Sequence, residues 1–496
     1  MVFIAFFSFM PIFAKGTLNM SEFLQIDGLW SYIYWCNIIV AAFIVVRVVL
    51  NNRNPIKTLA WMMVLLFLPL LGLLLYFFFG RDTKRLKYIG RRSLSQIQQR
   101  SHLYYRAQKP VEFPPAYSSL VNYLENTASA YPVQGCQVQV IDDMQLFAEE
   151  LLAAIRSARE HVHLQFYIFE DDGFGTRVRD ALIEKAREGV EVRVIYDSVG
   201  SWRVAKDFFE DIRFAGGQVE AFLKVYFPIL GNRVNYRNHR KVVVVDGCVG
   251  FVGGCNIADR YVQGVEWGAW RDVMLKVCGN GVHGLQTSFL IDWYFANGSL
   301  VSGGRYFPSM PVMGDALMQV AQSNPVGVHR VIMSALIMII TSAREYVYMQ
   351  TPYLMLNDAV KLAIINAALS GVDVRLMIPL RSDSPILTYA SYSYLGDLLE
   401  AGVRVLLYKE GMMHGKTMVS DDAVSSVGSA NLDFRSFYYN FEMSSFVYSS
   451  SVARKLKSVF LNDEKGCHQL SVREYSSRSF MRRCAESAAR LFSPLL

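Results

Sequence analysis

The stretch HRKVVVVD at residues 239–246 recurs in relaxed form, HGKTMVSD, at residues 414–421. One His-x-Lys-x4-Asp pattern is weak evidence, because lysine and aspartate are common on surface strands. Each copy, however, is followed by an asparagine in a Gly-rich turn, GGCN or GSAN, and one offset of 175 residues relates the two copies throughout. The pattern therefore predicts a duplicated unit in which each half supplies half of one site.

The segments that precede each motif also repeat. HVHLQFYIF at residues 161–169 leads through a helical pattern to VEVRVIYD at 190–197. YVYMQTPYL at 346–354 leads in the same way to VDVRLMIP at 372–379. A strand, a helix and a second strand make a βαβ unit with parallel pairing. We predict an α/β fold of two pseudo-twofold-related halves, each a sheet flanked by helices.

The motif predicts which side chains act together. The β-branched run at residues 242–245 is typical of a strand, where alternation puts His239 and Lys241 on one face and Arg240 on the other. Transfer at a phosphodiester needs a nucleophile, an acid for the leaving oxygen and cations for the anionic oxygens. Two facing His-x-Lys pairs supply all three without a metal or other cofactor. The predicted catalytic residues are His239, Lys241, Asp246, His414, Lys416 and Asp421, with Asn256 and Asn431 as donors to the substrate phosphate.

The motif aspartates have a different predicted role from the histidines. Asp246 lies seven residues after His239. It has the opposite strand parity, and on a straight strand it is up to about 23 Å away. Asp246 and the glycine after it are typical of a hairpin turn, and Asp421 occupies the equivalent place. We interpret both aspartates as supports of the site architecture, with plain turn residues as the alternative.

Carboxylates that orient the imidazoles must therefore come from elsewhere. Asp272, in WRD, lies 33 residues after His239, and Glu442, in NFE, lies 28 residues after His414. A carboxylate that accepts from one ring nitrogen fixes the tautomer and leaves the other nitrogen free to attack. We predict this orienting role for both acids. The remaining histidines are predicted to be structural or on the surface: His102, His161, His163, His283, His329 and His468.

Two long apolar stretches precede the repeat. Residues 29–46 are 18 uncharged residues, and residues 58–80 are 23. Each is long enough to cross a hydrocarbon core about 30 Å thick, and buried core helices are the alternative. We predict an N-terminal two-helix transmembrane hairpin. Residues 1–14 are also apolar. They are either an interfacial segment or an extension that precedes the true translation start. The predicted domains are a membrane region at 1–80, a basic, proline-containing linker at 81–125, and the two halves at 126–310 and 311–496.

The charges around these stretches predict an orientation. Six basic residues follow the second stretch, against one acid, Asp82. By the positive-inside bias, both ends of the hairpin and the catalytic body lie in the cytoplasm. The same basic cluster either binds anionic lipid headgroups or acts only as a signal that sets the membrane orientation of the hairpin. Its members are Arg81, Lys84, Arg85, Lys87, Arg91 and Arg92.

Composition excludes several classes of protein. With 52% hydrophobic residues, the chain is too apolar for a wholly soluble enzyme, and with 19% charged residues it is too charged for a polytopic transporter. Its seven cysteines form no CxxC pair, which argues against a zinc site or a disulfide scaffold. The net charge of +7 comes partly from the basic linker, so we expect no nucleic-acid partner.

On these residues the chain resembles the phospholipase D superfamily, and within it bacterial cardiolipin synthases of the phospholipase D type. The resemblance also covers the N-terminal hairpin, QTPYL, FRSFYYNFE and the terminal ARLFSPLL. It implies an active site between two α/β halves and a phosphatidyl-histidine intermediate. In the implied reaction, glycerol leaves one phosphatidylglycerol and the headgroup hydroxyl of a second attacks, giving cardiolipin at the bacterial inner membrane. By this resemblance, the family's orienting acids correspond to Asp272 and Glu442. We choose His239 as the nucleophile and His414 as the acid. Ser429 occupies a position where the family often has threonine.

Three alternatives remain open at the level of sequence. Within the superfamily, the chain could be a phospholipase D hydrolase or a transferase that uses another alcohol. A membrane-tethered nuclease uses the same motif, although no basic, aromatic groove pattern stands out. A catalytically inactive scaffold is disfavoured, because both motif copies are intact.

Overall fold

A computed structural model describes residues 28–50, 55–76, 88–90, 92–99, 113, 115–205, 207–224 and 235–494. The α-helices are α1 Gly28–Leu50, α2 Pro55–Phe67, α3 Pro69–Leu75, α4 Ser118–Ala128, α5 Met144–Ser157, α6 Gly173–Arg187, α7 Glu210–Phe214, α8 Asp259–Gln263, α9 Val282–Asn297, α10 Val331–Ser342, α11 Asp358–Leu369, α12 Pro385–Tyr392, α13 Leu395–Glu400, α14 Phe434–Tyr438, α15 Ser450–Glu464, α16 Val472–Ser476 and α17 Phe480–Leu491.

Strands and helices alternate within residues 133–222 and 316–408, as the βαβ pattern predicts, whereas several strands follow one another directly elsewhere. They are β1 Val133–Ile141, β2 His161–Phe166, β3 Glu191–Asp197, β4 Gln218–Phe222, β5 Arg237–Asn238, β6 Val242–Val245, β7 Val249–Gly253, β8 Ala269–Arg271, β9 Met274–Cys278, β10 Ala316–Ser323, β11 Tyr346–Gln350, β12 Asp373–Pro379, β13 Arg404–Tyr408, β14 Gly411–Met413, β15 Thr417–Ser420, β16 Val424–Gly428, β17 Asn440–Tyr448 and β18 Cys467–Gln469.

The N-terminal helices belong to a compact unit separate from the rest of the chain. Helix α1 covers the first predicted span, whereas the second span is divided between α2 and α3 at Leu68, because Pro69 disfavours helical geometry in the residue before it. Residues 1–14, 77–80 and the basic cluster apart from Arg92 lie outside the described residues. Among the helices that are described, none combines the length and hydropathy needed for a membrane span. The transmembrane hairpin therefore stays a prediction.

One mixed sheet organises the second compact unit. Its central pair is β1 and β10, which are antiparallel. Outward from β1 the order is β9, β7, β6, β2, β3 and β4, and outward from β10 it is β17, β16, β15, β11, β12 and β13, with β18 at the edge. The same order of strands thus occurs on both sides of the central pair. The predicted α/β class is confirmed.

Apolar packing fixes each half and joins them. One cluster packs the first half's sheet against α5 and α6, through residues such as Phe147 and Leu182. Another packs the second half's sheet against α10 and α11, through residues such as Ile339 and Ile364. A third cluster contains strand residues of both halves and side chains from α15. The halves therefore share a core, which holds the loops between them in one geometry.

Candidate active site

Two short pairs of parallel strands bring the histidines to the boundary between the halves. Strand β5 of the first half pairs with β17 of the second, and His239 N donates to Phe441 O at 3.0 Å. Strand β14 of the second half pairs with β8 of the first, and His414 N donates to Arg271 O at 2.7 Å. In both cases the acceptor residue directly precedes a predicted orienting acid. The backbone pairing therefore places each acid beside a histidine of the opposite half.

Each motif histidine contacts an acid of the opposite half. His239 Nδ1 lies 3.1 Å from Glu442 Oε1 and 3.2 Å from Oε2. His414 Nδ1 lies 2.5 Å from Asp272 Oδ2. Both carboxylates are fully buried. A buried carboxylate that accepts from Nδ1–H leaves Nε2 as the unprotonated nitrogen of the neutral ring.

Each carboxylate is held by further contacts. Glu442 accepts hydrogen bonds from the Ser429 hydroxyl and from Asn440 Nδ2. Asp272 accepts from the Val273 N–H at 2.8 Å. A Cβ on Gly254 would lie only 2.2 Å from Asp272 Oδ1, so this position of the first Gly-rich turn requires glycine. The two acids thus keep fixed positions through different neighbours.

Burial keeps both histidine rings neutral. Desolvation, assisted by the charge of Lys241, lowers the pKa of His239 to about 4. Desolvation, assisted by the charge of Lys416, lowers the pKa of His414 to about 3. The orienting acids stay ionised. Burial alone would raise the pKa of Asp272, but Lys416 and His414 hold that pKa below its ordinary value. At neutral pH the site therefore has neutral imidazoles and an ionised Asp272 and Glu442.

Both lysines contact the backbone of their own motif histidines, and neither is among the residues that line the cavity between the motifs. Lys241 Nζ donates to His239 O at 2.6 Å and is fully buried. Lys416 Nζ donates to His414 O and lies 2.9 Å from His414 Nδ1. Burial lowers the pKa of Lys416 to about 8 and lowers the pKa of Lys241 well below its ordinary value. An anion bound beside these amines would stabilise their charged forms.

A cavity of about 330 Å³ connects the two motifs. Both histidines line it, one from each half, and aromatic rings surround them. Tyr167 packs edge-on against His239 with ring centroids 5.0 Å apart, and Tyr261 against His414 at 5.6 Å. The structure therefore presents both imidazoles to one partly open cavity. The lining residues are Tyr167, Ile168, Arg237, His239, Asn256, Tyr261, Trp270, Tyr353, Met355, Asp383, Leu387, His414, Asn431, Asp433, Arg435 and Asn440.

The two predicted phosphate-binding asparagines also line this cavity. Asn256 Nδ2 donates to the Tyr261 hydroxyl at 2.7 Å, while its Oδ1 accepts from the Ile168 N–H. Asn431 Nδ2 donates to Asp433 Oδ2 at 3.0 Å. Each amide nitrogen has two hydrogens, so each retains one for a further acceptor.

The motif aspartates lie in turns, as the sequence predicts. Asp246 and Asp421 both have φ of 52°, and the residue after each also has a positive φ. Two consecutive left-handed residues are typical of a type I′ hairpin turn. The Asp246 carboxylate accepts from the N–H groups of residues 159–161, and that of Asp421 from residues 344–346. They fix the starts of β2 and β11, and neither bonds its own motif histidine.

Sequence reasoning missed a polar network behind the first motif. Arg240 points away from His239 and pairs with Asp292 at 2.6 Å, both side chains being fully buried. Asp292 also accepts from Gln165 at 2.5 Å and from Asn238 at 2.9 Å. This network ties β2, α9 and the chain around the first histidine together.

The second half has a matching network with one exchanged member. Gln350 donates to Asp463 at 2.8 Å, as Gln165 does to Asp292. The cation that pairs with Asp463 is Arg271 of the first half, at 2.7 Å. The glutamines occupy matching places in the repeat, in HLQFYIF and YMQTPYL, which is the signal that could have revealed both networks.

Four of the other histidines have structural partners away from the cavity. His161 and His163 are buried on β2 and contact Gln286. His283 Nε2 lies 3.0 Å from Pro308 O, and His468 pairs with Glu474 on the surface. His102 lies outside the described residues.

Comparison with known families follows the same division of the chain. The family described as "Cardiolipin synthase, PLD-like domain" matches residues 151–267 and 336–464, which contain both motifs. The family described as "Phospholipase_D-nuclease N-terminal" matches residues 38–81.

Individual relatives match over nearly the whole chain. A cardiolipin synthase of Alkalihalophilus pseudofirmus is 36% identical over 476 residues, covering 95% of this chain and 94% of that protein. The major cardiolipin synthase ClsA of Bacillus subtilis is 37% identical over 481 residues, covering 94% of this chain and 99% of that protein. Among solved structures, phosphatidylserine synthase of Haemophilus influenzae has a TM-score of 0.58 at 14% identity, covering 76% of this chain and all of that one. This last likeness concerns the fold.

Proposed function

The chain belongs to the cardiolipin synthase family with phospholipase D-like domains, and we propose that it transfers a phosphatidyl group from one phosphatidylglycerol to another, giving cardiolipin and glycerol. The observation that carries the proposal is the pair of neutral imidazoles that face one cavity, each oriented by a buried carboxylate of the opposite half. One ring can attack while the other handles the proton. Phosphatidyl exchange requires this division of labour.

In the first step, His239 Nε2 attacks the phosphorus of the donor lipid. A bond forms between Nε2 and phosphorus, and the bond from phosphorus to the glycerol headgroup oxygen breaks. His414, protonated once the anionic phosphate offsets the neighbouring lysine charges, gives its Nε2 proton to the departing oxygen. The products are free glycerol and a phosphatidyl-histidine. Glu442 stabilises the positive charge that develops on His239, and Asp272 stabilises the charge that His414 carries before it gives up its proton.

In the second step, the headgroup hydroxyl of another phosphatidylglycerol replaces the histidine. His414 Nε2, now neutral, takes the hydroxyl proton as the oxygen attacks phosphorus. The bond from phosphorus to His239 then breaks, and cardiolipin leaves. One phosphodiester has been exchanged for another, so no external energy source is consumed.

The phosphate oxygens need positive partners in both steps. We assign this role to the ammonium groups of Lys241 and Lys416, with Asn256 and Asn431 as amide donors. Burial makes the bare ammonium groups costly, so their charge is favoured when an anionic phosphate is present. The aromatic rings around the histidines would limit the access of water, which otherwise hydrolyses the intermediate.

A membrane location suits this reaction, because both substrates are lipids. We propose that the two apolar N-terminal stretches form a hairpin in the inner membrane of a bacterium, with the catalytic body on the cytoplasmic side. The positive residues after the second stretch favour this orientation. Such tethering keeps the site where its substrates are concentrated.

Two measurements test the proposal. Purified full-length enzyme supplied with phosphatidylglycerol alone should release glycerol and cardiolipin in equal amounts. A rapidly quenched reaction with radiolabelled phosphatidylglycerol should leave acid-labile label on His239.

Each other outcome has a definite meaning. Phosphatidic acid without cardiolipin would make the enzyme a hydrolase. Cleavage of single-stranded DNA in place of lipid turnover would make it a nuclease. Label on His414 would keep the two-step reaction and exchange the roles of the histidines.

A further inference from the structure

Helix α17, close to the carboxyl end of the chain, turns its polar side toward the protein. Its buried residues are Glu486 and Ala489, at 3% and 6% exposure. Glu486 pairs with Arg478 and Arg482. Arg490 donates to Ser393 O at 2.9 Å. These ion pairs lie within residues 478–486, whereas the Arg490 hydrogen bond and the packing of the buried Ala489 hold the helix to the body.

The apolar side of the same helix faces outward. Phe480 and Met481 are each 75% exposed, Leu491 is 80% exposed and Phe492 is 51% exposed. Phe480, Cys484 and Leu491 share one stripe, at spacings of four and seven residues. A surface helix of a soluble domain has the opposite arrangement, with its apolar side in the core.

The charge of this segment suits an anionic surface. Residues 478–492 contain four arginines and one glutamate. Arg483, three residues after Phe480 on the exposed side of the helix, borders the outward apolar stripe. Bulky apolar side chains bordered by arginine are typical of helices that lie in the interface of a membrane with anionic lipids.

The helix is also connected to the cavity that contains the histidines. It packs on α12, where the Arg482 guanidinium lies 4.9 Å from the centre of the Tyr392 ring. On the same α12, Leu387 lines the cavity, and Ile386 and Tyr389 are about two-fifths exposed, at 41% and 40%. Apolar surface thus occurs both on α12, which contributes to the cavity, and on α17, which packs against α12.

We propose that the outward face of α17, with Ile386 and Tyr389, lies in the interfacial layer of an anionic bilayer and presents the cavity to its lipids. This inference rests on the proposed function, since lipid substrates must reach the cavity from a bilayer. A second copy of the chain is a poorer occupant. Phe480, Met481, Leu491 and Phe492 are 51–80% exposed. Scaled by those fractions, and at about 150–250 Å² per fully buried large side chain, they offer on the order of 500 Å², below the roughly 800 Å² per partner of a stable interface.

Spin labels on the full-length protein test the contact directly. In a background with Cys36 and Cys484 replaced by serine, a nitroxide is placed at Leu491→Cys, and a control label at Phe214→Cys, which is 86% exposed on α7. After reconstitution into phosphatidylglycerol vesicles, the Leu491 label should collide more often with dissolved oxygen than with a water-soluble nickel chelate. The Phe214 label should show the reverse.

Two results would overturn the inference. Equal nickel accessibility at both positions would leave the helix in water. Magnetic broadening between Leu491 labels of different molecules would assign the face to a second copy of the chain. The accessibility readout does not depend on catalysis, so an immersed label in a protein that makes no cardiolipin would refute the proposed function and keep the membrane contact.

A matched pair of variants tests the consequence for turnover. Phe480→Ser combined with Leu491→Ser should raise the KM for vesicle phosphatidylglycerol about tenfold or more, because two large apolar side chains no longer enter the lipid. Its kcat/KM on a dispersed short-chain phosphatidylglycerol should equal that of the parent. Phe214→Ser should change neither value. An equal loss on both substrates would point to a damaged site and contradict the proposal.

Discussion

The two motifs differ at their second position, which is Arg240 in one and Gly415 in the other. In the first half, Arg240 pairs with Asp292 of the same half. In the second half, where glycine provides no cation, Asp463 pairs with Arg271 of the first half. Both histidines take their carboxylates from the opposite half, but only the second network also takes its arginine from there. The duplicated halves therefore share one topology but differ in the source of the arginine: the first half supplies its own, and the second half uses one from the first half.

The orienting acids show the same inequality on a smaller scale. The position occupied by Ser429 beside Glu442 corresponds, at the repeat offset of 175 residues, to Gly254 beside Asp272. The serine hydroxyl donates to the longer Glu442 side chain. At Gly254 the backbone itself lies against the shorter Asp272, and there is no space for a side chain. The longer acid lies beside a serine side chain and the shorter acid lies directly against a glycine backbone. Both carboxylates therefore reach the imidazole ring that they contact.

Removal of either histidine should have the largest effect and tests whether the halves are equal in chemistry. His239→Ala and His414→Ala should each lower cardiolipin formation by roughly 10⁴-fold or more, because neither attack nor proton transfer has a substitute. His468→Ala, a surface histidine paired with Glu474, is the control. With a nitrophenyl phosphodiester, whose leaving group needs no acid, His414→Ala should still form labelled phosphohistidine and His239→Ala should not. The opposite pattern would give the nucleophile to the second half.

The arginines test the unequal self-sufficiency of the halves. Arg240→Ala leaves Asp292 fully buried and without its cation, which should lower the free energy of unfolding by roughly 3–5 kcal/mol. Arg271→Ala should cost less, since Arg271 is 15% exposed and water can reach the vacated place. Urea unfolding of the full-length variants in detergent measures both. The combination Arg240→Met with Asp292→Asn should recover much of the loss, and equal costs for the two arginines would refute the contrast.

Neutral replacements of the orienting acids test whether the exchange of carboxylates is symmetrical. Glu442→Gln and Asp272→Asn should each lower kcat about a hundredfold or more, because an amide no longer selects the Nδ1–H tautomer. Asp397→Asn, at a surface acid of the second half paired with Lys361, is the matched control. A large loss in only one of the two variants would show that one histidine does not need its carboxylate.

The pH dependence of kcat/KM probes the second motif's lysine. Burial lowers the pKa of Lys416 to about 8, so the free enzyme loses this positive charge as the pH rises through that value. Since only the ammonium form holds a phosphate oxygen, kcat/KM should fall up to about tenfold per pH unit above pH 8. The residual activity of Lys416→Met should lack this alkaline limb. A limb that persists in the variant would belong to another group, and circular dichroism over the same pH range checks the fold.

The motif aspartates should show the smallest effect and the closest agreement between the halves. Asn tolerates the left-handed turn, so Asp246→Asn and Asp421→Asn should keep the hairpin while they weaken the bonds to the N–H groups. Each should lower the free energy of unfolding by about 1 kcal/mol and leave the pH profile of kcat/KM unchanged. A shifted profile would give the aspartates a part in proton transfer.

The repeat in the sequence predicted a large part of the fold. Equal offsets and matching strand and helix patterns implied an α/β fold, and the D-G and D-D pairs marked the hairpin turns correctly. The division of the second apolar stretch was not foreseen, although Pro69 was visible. The length of an apolar run indicates only its hydropathy. Whether the run forms one continuous helix also depends on backbone geometry, which proline restricts in the residue before it.

The sequence named residues that the structure brings to one cavity or into contact with its histidines, but not their pairing, and their catalytic roles stay a prediction. Asp272 and Glu442 were found from the motif context, but spacing along one chain says nothing about which histidine each acid meets across an interface. The networks of Asp292 and Asp463 were missed for another reason. Their partners lie on different strands and helices, so only packing brings them together, although the repeated glutamines, Gln165 and Gln350, offered a clue.

The exchange of carboxylates has a consequence for the making of the enzyme. Ribosomes complete the first half with His239 already in place, but Glu442 is joined to the chain 203 residues later. Until then the imidazole has no fixed tautomer, and the second histidine does not yet exist. A half-made chain thus lacks both the second histidine and the carboxylate that His239 contacts. The site therefore becomes complete only after the second half has been synthesised.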